Sequence, residues 1–96
     1  MSTVTLVSSS ERPLRPLLEA ALENELRLLQ AGIRRTEQRL SAFEAEYGLS
    51  SAEFVARYEN DEFRETLEYG EWIGEIRLLQ RLREKAETLG DIQFAN

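Results

Sequence analysis

Apolar residues recur along the first half of the chain in alternating steps of four and three, the spacing of a heptad seam on an α-helix. The seam comprises Leu22, Leu26, Leu29, Ile33, Thr36, Leu40, Phe43 and Tyr47. Pro13 and Pro16 fit the first turn of such a helix, because a proline there loses no hydrogen bond. Gly48 fits the position just after the last helical residue. The pattern therefore predicts one long helix that begins near Pro13 to Pro16 and ends at about Tyr47.

A second long helical pattern occupies the last third of the chain. Its apolar face comprises Leu67, Trp72, Ile76, Leu79, Leu82, Ala86 and Leu89. This pattern predicts a helix that begins between Asp61 and Thr66, ends at about residue 89 and is stopped by Gly90. Gly70 and Gly74 flank Trp72 at a spacing of four residues, and we expect them to make room for a bulky neighbour.

A short helix, roughly residues 51–58, is predicted between the two long ones. Ser50 is followed three residues later by Glu53, which matches a capping box. Leu49 precedes the cap and Phe54 lies at the fourth helical position, which matches a hydrophobic staple. These signals predict a tight, well-defined turn after the first long helix.

Both ends of the chain carry short β-type patterns. Residues Thr3–Val7 alternate and are rich in β-branched side chains, which favours a strand. A single strand is not stable, so it must pair with another segment, another copy or a partner, or else remain a tail. Ile92 and Phe94 alternate in the same way and are candidates for pairing with Val4–Val7.

The predicted fold is all-α: a long helical hairpin with a short intervening helix and a short strand at the N-terminus. The chain divides into an N-terminal tail or strand at 1–12, the hairpin domain at 13–90 and a C-terminal tail at 91–96. One hairpin of this size buries little apolar surface, so we expect a homodimer, formed as a coiled coil or four-helix bundle. The residues expected to form the dimer seam are Leu22, Leu26, Leu29, Ile33, Leu40 and Phe43.

The composition of the chain excludes several kinds of functional site. The chain has no cysteine and no histidine, which excludes disulfides, thiolate metal sites and the commonest general base. Its net charge of −6 disfavours nucleic-acid binding by the protein alone. No apolar run approaches the ~18 residues of a membrane span, and the N-terminus lacks the pattern of a signal peptide. We therefore expect a cytoplasmic protein with no membrane contact.

Acidic residues are concentrated in the middle of the chain. Residues 43–75 contain ten acids but only two bases, so this stretch carries −8. Clustered acids steer basic partners, and interleaved aromatic residues anchor protein interfaces. The predicted partner-binding residues are Phe54, Tyr58, Glu59, Glu62, Phe63, Glu65, Glu68, Tyr69 and Trp72. The alternative is that the acids form only a solvated face.

The acids also raise the question of catalysis. Glu59, Glu62, Glu65, Glu68 and Glu71 recur every three residues. Close carboxylates on a helix suit hard cations such as Mg²⁺. A strict three-residue step drifts around the helix, however, and no paired acidic motif on the first long helix faces these residues. We therefore expect no bound metal, no cofactor and no enzymatic activity.

The stretch from residue 43 to residue 75 has the pattern F-E-x-E-Y-G-L-S-S-x-E-F-x-x-R-Y-E, followed by an acidic segment and E-W-x-x-E. It resembles the small helical TumA-like antitoxins of prokaryotic toxin–antitoxin pairs. The residues that carry the resemblance are Phe43, Glu44, Tyr47, Gly48, Leu49, Ser50, Glu53, Phe54, Arg57, Tyr58, Glu71 and Trp72. That family has a glycine in the loop after the short helix, where this chain has Asn60-Asp61-Glu62. The resemblance implies a non-catalytic protein that neutralises a small basic toxin, often a nuclease.

Two other functions stay open. A strand followed by a helix is the arrangement of dimers that lay a β-ribbon on DNA, although Thr3–Val7 contains no arginine or lysine. The chain is also compatible with a structural helical homodimer that has no other partner. Salt-dependent DNA binding would favour the regulator, and binding to a basic protein would favour the antitoxin.

Overall fold

The structure is a computed structural model that describes residues 2–5, 7 and 14–95. It contains the helices α1 (Leu14–Tyr47), α2 (Ser51–Glu59) and α3 (Leu67–Gly90), and the strands β1 (Ser2–Thr5) and β2 (Ile92–Ala95). The predicted all-α hairpin with a short intervening helix is confirmed, and so is the short N-terminal strand.

The long helices α1 and α3 run antiparallel and pack along their length. Phe43 lies beside Trp72 near the turn, whereas Glu37, further from the turn on α1, pairs with Arg83 on α3 at 3.0 Å. The resulting body is elongated, with extents of 61 × 21 × 18 Å. Two helices side by side bury only one stripe each, so the position of α2 decides where a deeper core forms.

The turn between α1 and α2 follows the predicted capping. Gly48 has a φ of +62°, a conformation that glycine adopts without a steric cost. The Ser50 hydroxyl accepts a hydrogen bond from the Glu53 backbone N–H at 3.1 Å. An acceptor that the sequence analysis missed lies on α1, where the Glu44 carboxylate accepts from the Ser51 N–H at 2.6 Å. Two of the free N–H groups at the start of α2 thus have side-chain acceptors.

The loop between α2 and α3 comprises residues 60–66, so α3 begins at the far end of the predicted range. Residues 60–66 are not helical, and Asp61 has a φ of 55°. Helix α3 begins only after Thr66, whose hydroxyl accepts a hydrogen bond from the Tyr69 N–H at 3.1 Å. Thr66 is therefore an N-cap. At the other end, Gly90 is the last residue of α3 rather than the residue that follows it.

The deepest part of the core lies at the turn end of the hairpin, where α2 packs against α1 and α3. The buried hydrophobic residues are Leu29, Leu40, Phe54, Trp72, Ile73 and Leu79. Phe54 and Trp72 are 0% exposed, and their rings stack with centroids 3.8 Å apart. The Trp72 indole N–H donates to the Ser51 hydroxyl at 3.0 Å. That hydrogen bond lets the largest side chain in the chain be buried without an unsatisfied donor.

The heptad seam of α1 packs against α3 of the same chain. Leu29 and Leu40 are buried, and Ile33 and Phe43 pack against the buried cluster. Leu22 and Leu26 continue this seam and are half-buried. Within one chain the hairpin therefore covers the part of the seam from Leu29 to Phe43, and a role of the seam in a dimer stays a prediction.

The mid-helix glycines differ in what surrounds them. A Cβ placed on Gly32 would lie 3.4 Å from the Leu82 side chain, so this glycine permits the close approach of α1 and α3. A Cβ placed on Gly70 or Gly74 would meet nothing within 4 Å. The expectation that these two glycines make room for a bulky neighbour is wrong within one chain.

Strands β1 and β2 form a two-stranded parallel sheet in which Val4 is paired with Phe94. The predicted pairing of the two ends is confirmed, although β1 comprises Ser2–Thr5 and not Val4–Val7. Leu6 and residues 8–13 lie outside the described residues. Val7 is 90% exposed.

Candidate functional site

The aromatic residues predicted to bind a partner belong mainly to the core. Phe54 and Trp72 are completely buried, so their assignment to a docking surface is wrong. Tyr58, Phe63 and Tyr69 are half-buried and pack against the same cluster. The centroids of the Phe63 and Tyr69 rings lie 5.5 Å from that of Phe54. Aromatic rings bury much apolar area, and here that burial stabilises the junction of three helices within the chain.

The acids predicted to bind a partner are dispersed. Glu59, Glu62 and Glu65 are exposed at the end of α2 and on the following loop, whereas Glu68 is half-buried in the first turn of α3. Because that loop is not helical, the three-residue repeat does not build one stripe. Glu65 accepts a hydrogen bond from the Tyr58 hydroxyl at 3.0 Å, which raises the pKa of Tyr58.

A different set of carboxylates does converge. A groove of about 390 Å³ runs between the last third of α1 and the first half of α3. We call it the acidic groove, and its lining residues are Arg39, Ala42, Phe43, Glu46, Glu71 and Glu75. All of them lie on α1 or α3, so α2 does not contribute to it.

Helical spacing explains why these residues line one groove. Residues 39, 42, 43 and 46 follow the i, i+3, i+4, i+7 pattern of one helix face, and Glu71 and Glu75 are four residues apart. The floor is apolar because the Phe43 ring stacks on Trp72, with centroids 5.4 Å apart and planes 7° from parallel. The acidic groove therefore combines a rigid aromatic floor with carboxylates along its sides.

One carboxylate of the groove is only partly satisfied. Arg39 donates to Glu75 Oε1 at 2.9 Å, and the Glu75 side chain is 19% exposed. The other oxygen, Glu75 Oε2, is buried and accepts no hydrogen bond from the described part of the chain. A buried acceptor without a partner costs free energy.

Glu46, which lines the groove, interacts with the carboxyl group of Glu68. Its carboxyl group is hydrogen-bonded to Glu68, and this hydrogen bond together with the repulsion between the two carboxylates raises the pKa of Glu46. The Tyr47 hydroxyl is also hydrogen-bonded to Glu68, which raises the pKa of Tyr47. Two carboxylates this close favour a shared proton, or a cation in its place.

The chemical groups that line the acidic groove indicate what kind of ligand it suits. Within the described residues, no three histidine, cysteine or acidic side chains are grouped so that they could hold a metal ion. The groove instead offers three carboxylates and one guanidinium around an aromatic ring. Its chemistry matches a ligand that carries positive charge next to apolar groups.

Sequence reasoning placed Phe43 in the dimer seam and did not select Arg39, Glu46, Glu71 or Glu75 as site residues. The available signal was the helical spacing of residues 39, 42, 43 and 46 and of residues 71 and 75. What the spacing does not show is which residues of α1 face which residues of α3.

None of the helices in the described part of the chain has an apolar stretch long enough to cross a bilayer. Comparison of the chain with family models, curated proteins and solved structures found no match.

Proposed function

We propose that this chain is a cytoplasmic, non-catalytic protein-binding module that holds a basic segment of a partner in the acidic groove. We further propose that the partner is a small basic toxin, which the chain neutralises as an antitoxin of a prokaryotic toxin–antitoxin pair. The observation that carries the proposal is that the side chains of Glu46, Glu71 and Glu75 line one groove together with Phe43, with Glu68 next to Glu46 and Glu75 Oε2 without a donor. The resemblance of residues 43–75 to TumA-like antitoxins supports the choice of partner.

An arginine or lysine side chain in the groove would interact favourably both with the pair Glu46 and Glu68 and with Glu75. It would replace the proton that Glu46 and Glu68 favour and, once the Glu75 side chain rotates toward the groove, would donate to Glu75 Oε2. Charge-assisted hydrogen bonds of this kind are about twice as strong as neutral ones. A guanidinium also stacks on an aromatic ring, which suits the Phe43 floor.

The groove is suited to binding because it is already formed. Its residues lie on two packed helices, and the floor ring stacks on the buried Trp72. A site built on rigid elements loses little conformational entropy when a partner arrives. The net charge of −6 adds long-range attraction to a positive partner. Clefts that bind phosphate, such as those of nucleases, attract carboxylates for the same reason.

The test is to co-express the chain with the protein encoded by the adjacent reading frame and to measure capture at low and high salt. Two variants locate the contact. The groove variant combines Glu46→Lys with Glu71→Lys, and the loop variant combines Glu59→Lys with Glu62→Lys. We expect the groove variant to lose capture at both salt concentrations, because it reverses charges that contact the partner. The loop variant should weaken capture only at low salt, because its charges act on the partner at long range and are screened by salt.

The matched control combines Glu23→Lys with Glu87→Lys, which makes the same change in net charge at exposed positions outside residues 43–75. This control separates loss of the groove from loss of overall negative charge. Undiminished capture by the folded groove variant at both salt concentrations would rule out the acidic groove as the binding site. Salt-dependent binding of DNA by the isolated wild-type protein would favour a regulator instead.

A further inference from the structure

Within the part of the chain that the structure describes, the sheet comprises only β1 and β2, so each strand has one edge without a strand partner. Charged side chains, prolines and bulges normally keep an exposed edge strand from pairing with another chain. The sequence of β1 is Ser-Thr-Val-Thr and that of β2 is Ile-Gln-Phe-Ala, so neither contains a charged residue or a proline. Two strands alone are also marginally stable, and three or more are needed for a sheet that persists. The sheet is therefore incomplete in one chain.

The sequence of β1 indicates what completes it. Thr3, Val4 and Thr5 read the same in both directions about Val4. Two copies of this strand that meet antiparallel across a two-fold axis at Val4 would place Val4 opposite Val4, and Thr3 opposite Thr5. Cross-strand pairs of threonines and of β-branched residues stabilise antiparallel sheets. The edge of β1 is thus complementary to itself.

We propose that the outer edge of β1 is a homodimer interface, at which β1 of one chain pairs antiparallel with β1 of a second copy. The product is a four-stranded sheet in the order β2-β1-β1-β2, centred on Val4. Two-fold symmetry requires the central pair to be antiparallel, because each copy presents the same strand to the other. This interface leaves in place the part of the α1 seam that packs against the core within each chain.

The interface is small. Stable protein–protein contacts bury about 1,200–2,000 Å², and two strands of this length bury less. The dimer is therefore reversible and depends on protein concentration. The alternative face for a dimer is the flank of α1, on which Leu28 is 60% exposed. Cross-linking experiments distinguish between these two possible interfaces.

The chain contains no cysteine, so a single introduced thiol reports one position. Val4→Cys places two thiols opposite each other at the two-fold axis, with Cα atoms about 4.5–5.5 Å apart, within disulfide range. Thr5→Cys is the matched control one residue away. In the proposed register, two copies of residue 5 lie about 8 Å apart, beyond the limit for a disulfide. Leu28→Cys tests the flank of α1.

We expect Val4→Cys to form a disulfide-linked dimer under mild oxidation at least ten times faster than Thr5→Cys or Leu28→Cys. Equal rates for Val4→Cys and Thr5→Cys would overturn the register. Faster cross-linking of Leu28→Cys would overturn the interface itself. Helicity, followed by circular dichroism, checks that each variant is folded.

Sedimentation without cross-linking gives an independent measurement. Lysines on an edge strand prevent it from pairing with another chain. The double variant Thr3→Lys, Thr5→Lys should therefore sediment as a monomer across the micromolar range of concentration in which the wild type forms a dimer. The control, Gln38→Lys with Ser41→Lys, adds the same positive charge on the exposed face of α1 and should leave the dimer intact. A wild-type protein that stays monomeric throughout, or a β1 variant that dimerises like the control, would overturn the proposal.

Discussion

The two ends of the hairpin show how the same apolar spacing leads to different burial. At the turn end α2 adds a third helix, and Phe54 and Trp72 are 0% exposed. At the open end only α1 and α3 remain side by side, and none of the described residues 14–28 or 80–92 is buried. Leu22 and Leu40 belong to one heptad seam, yet only Leu40 is buried. Periodicity determines which face of a helix is covered, and the number of neighbouring elements determines how deeply.

The largest difference between the two ends is expected from core truncation. Phe54→Ala should lower the free energy of unfolding by about 3–5 kcal/mol, because it removes a fully buried ring that stacks on Trp72. Leu22→Ala, in the two-helix part, should cost roughly 1–2 kcal/mol, because its side chain is only half-buried. Urea unfolding followed by circular dichroism measures both. Equal unfolding midpoints for the two variants would contradict the concentration of stability at the turn end.

Two caps at the turn end provide the next test. Ser50→Ala and Thr66→Ala each remove a hydroxyl that accepts a backbone N–H at a helix start. Each should destabilise the protein by about 1 kcal/mol. Thr88→Ala is the matched control near the open end, where the hydroxyl donates to the Glu84 carbonyl within the helix and caps no helix start. A Thr66→Ala variant as stable as the wild type would show that α3 does not depend on this cap.

The exposed glycines should change stability in the opposite direction. Gly70→Ala and Gly74→Ala should each stabilise the protein by about 0.5–1 kcal/mol, because alanine restricts the unfolded chain and meets nothing in the folded one. Gly32→Ala is the comparison, since its methyl group would press on Leu82 at 3.4 Å. We expect it to gain less stability or to lose some. Destabilisation by Gly74→Ala would indicate that this face of α3 is covered in solution.

The smallest expected effect is the dependence of the free energy of unfolding on pH. The pKa of Glu46 is raised above its ordinary value of 4.5 by hydrogen bonding to Glu68 and by repulsion. The folded state therefore holds this proton more tightly than the unfolded state does. The resulting stabilisation is complete below pH 4.5 and is lost as the pH rises through the raised pKa.

Thermal unfolding at a series of pH values should reveal this contribution. Glu46→Gln keeps the side chain neutral and should remove the loss of stability between acidic and neutral pH that Glu46 causes. Glu23→Gln, at an exposed position on the same helix, is the control, and its stability should change with pH as that of the wild type does. Identical pH profiles for the wild type and Glu46→Gln would mean that the contact with Glu68 does not persist in solution.

Much of the fold could be predicted because its signals are local. The helix of residues 51–59, its cap at Ser50 and the left-handed Gly48 each depend on hydrogen bonds and dihedral angles within one or two turns. The cap at Thr66 is equally local and lies at the end of the range predicted for the start of α3, although the sequence analysis did not single out its hydroxyl. The carboxylate of Glu44 that caps Ser51 lies seven residues away, too far for a sequence motif to indicate.

The sequence by itself determined the helices, their apolar faces and the turn between them, because these follow from interactions among near neighbours. Only the tertiary structure decided that the seam of α1 faces α3 of the same chain, and that Glu46 of α1 meets Glu68 of α3. The register of α1 against α3 depends on the packing of Phe54 against Trp72 and on the length of the loop before Thr66. Contacts between residues more than twenty positions apart are set by that packing, and no local spacing specifies them.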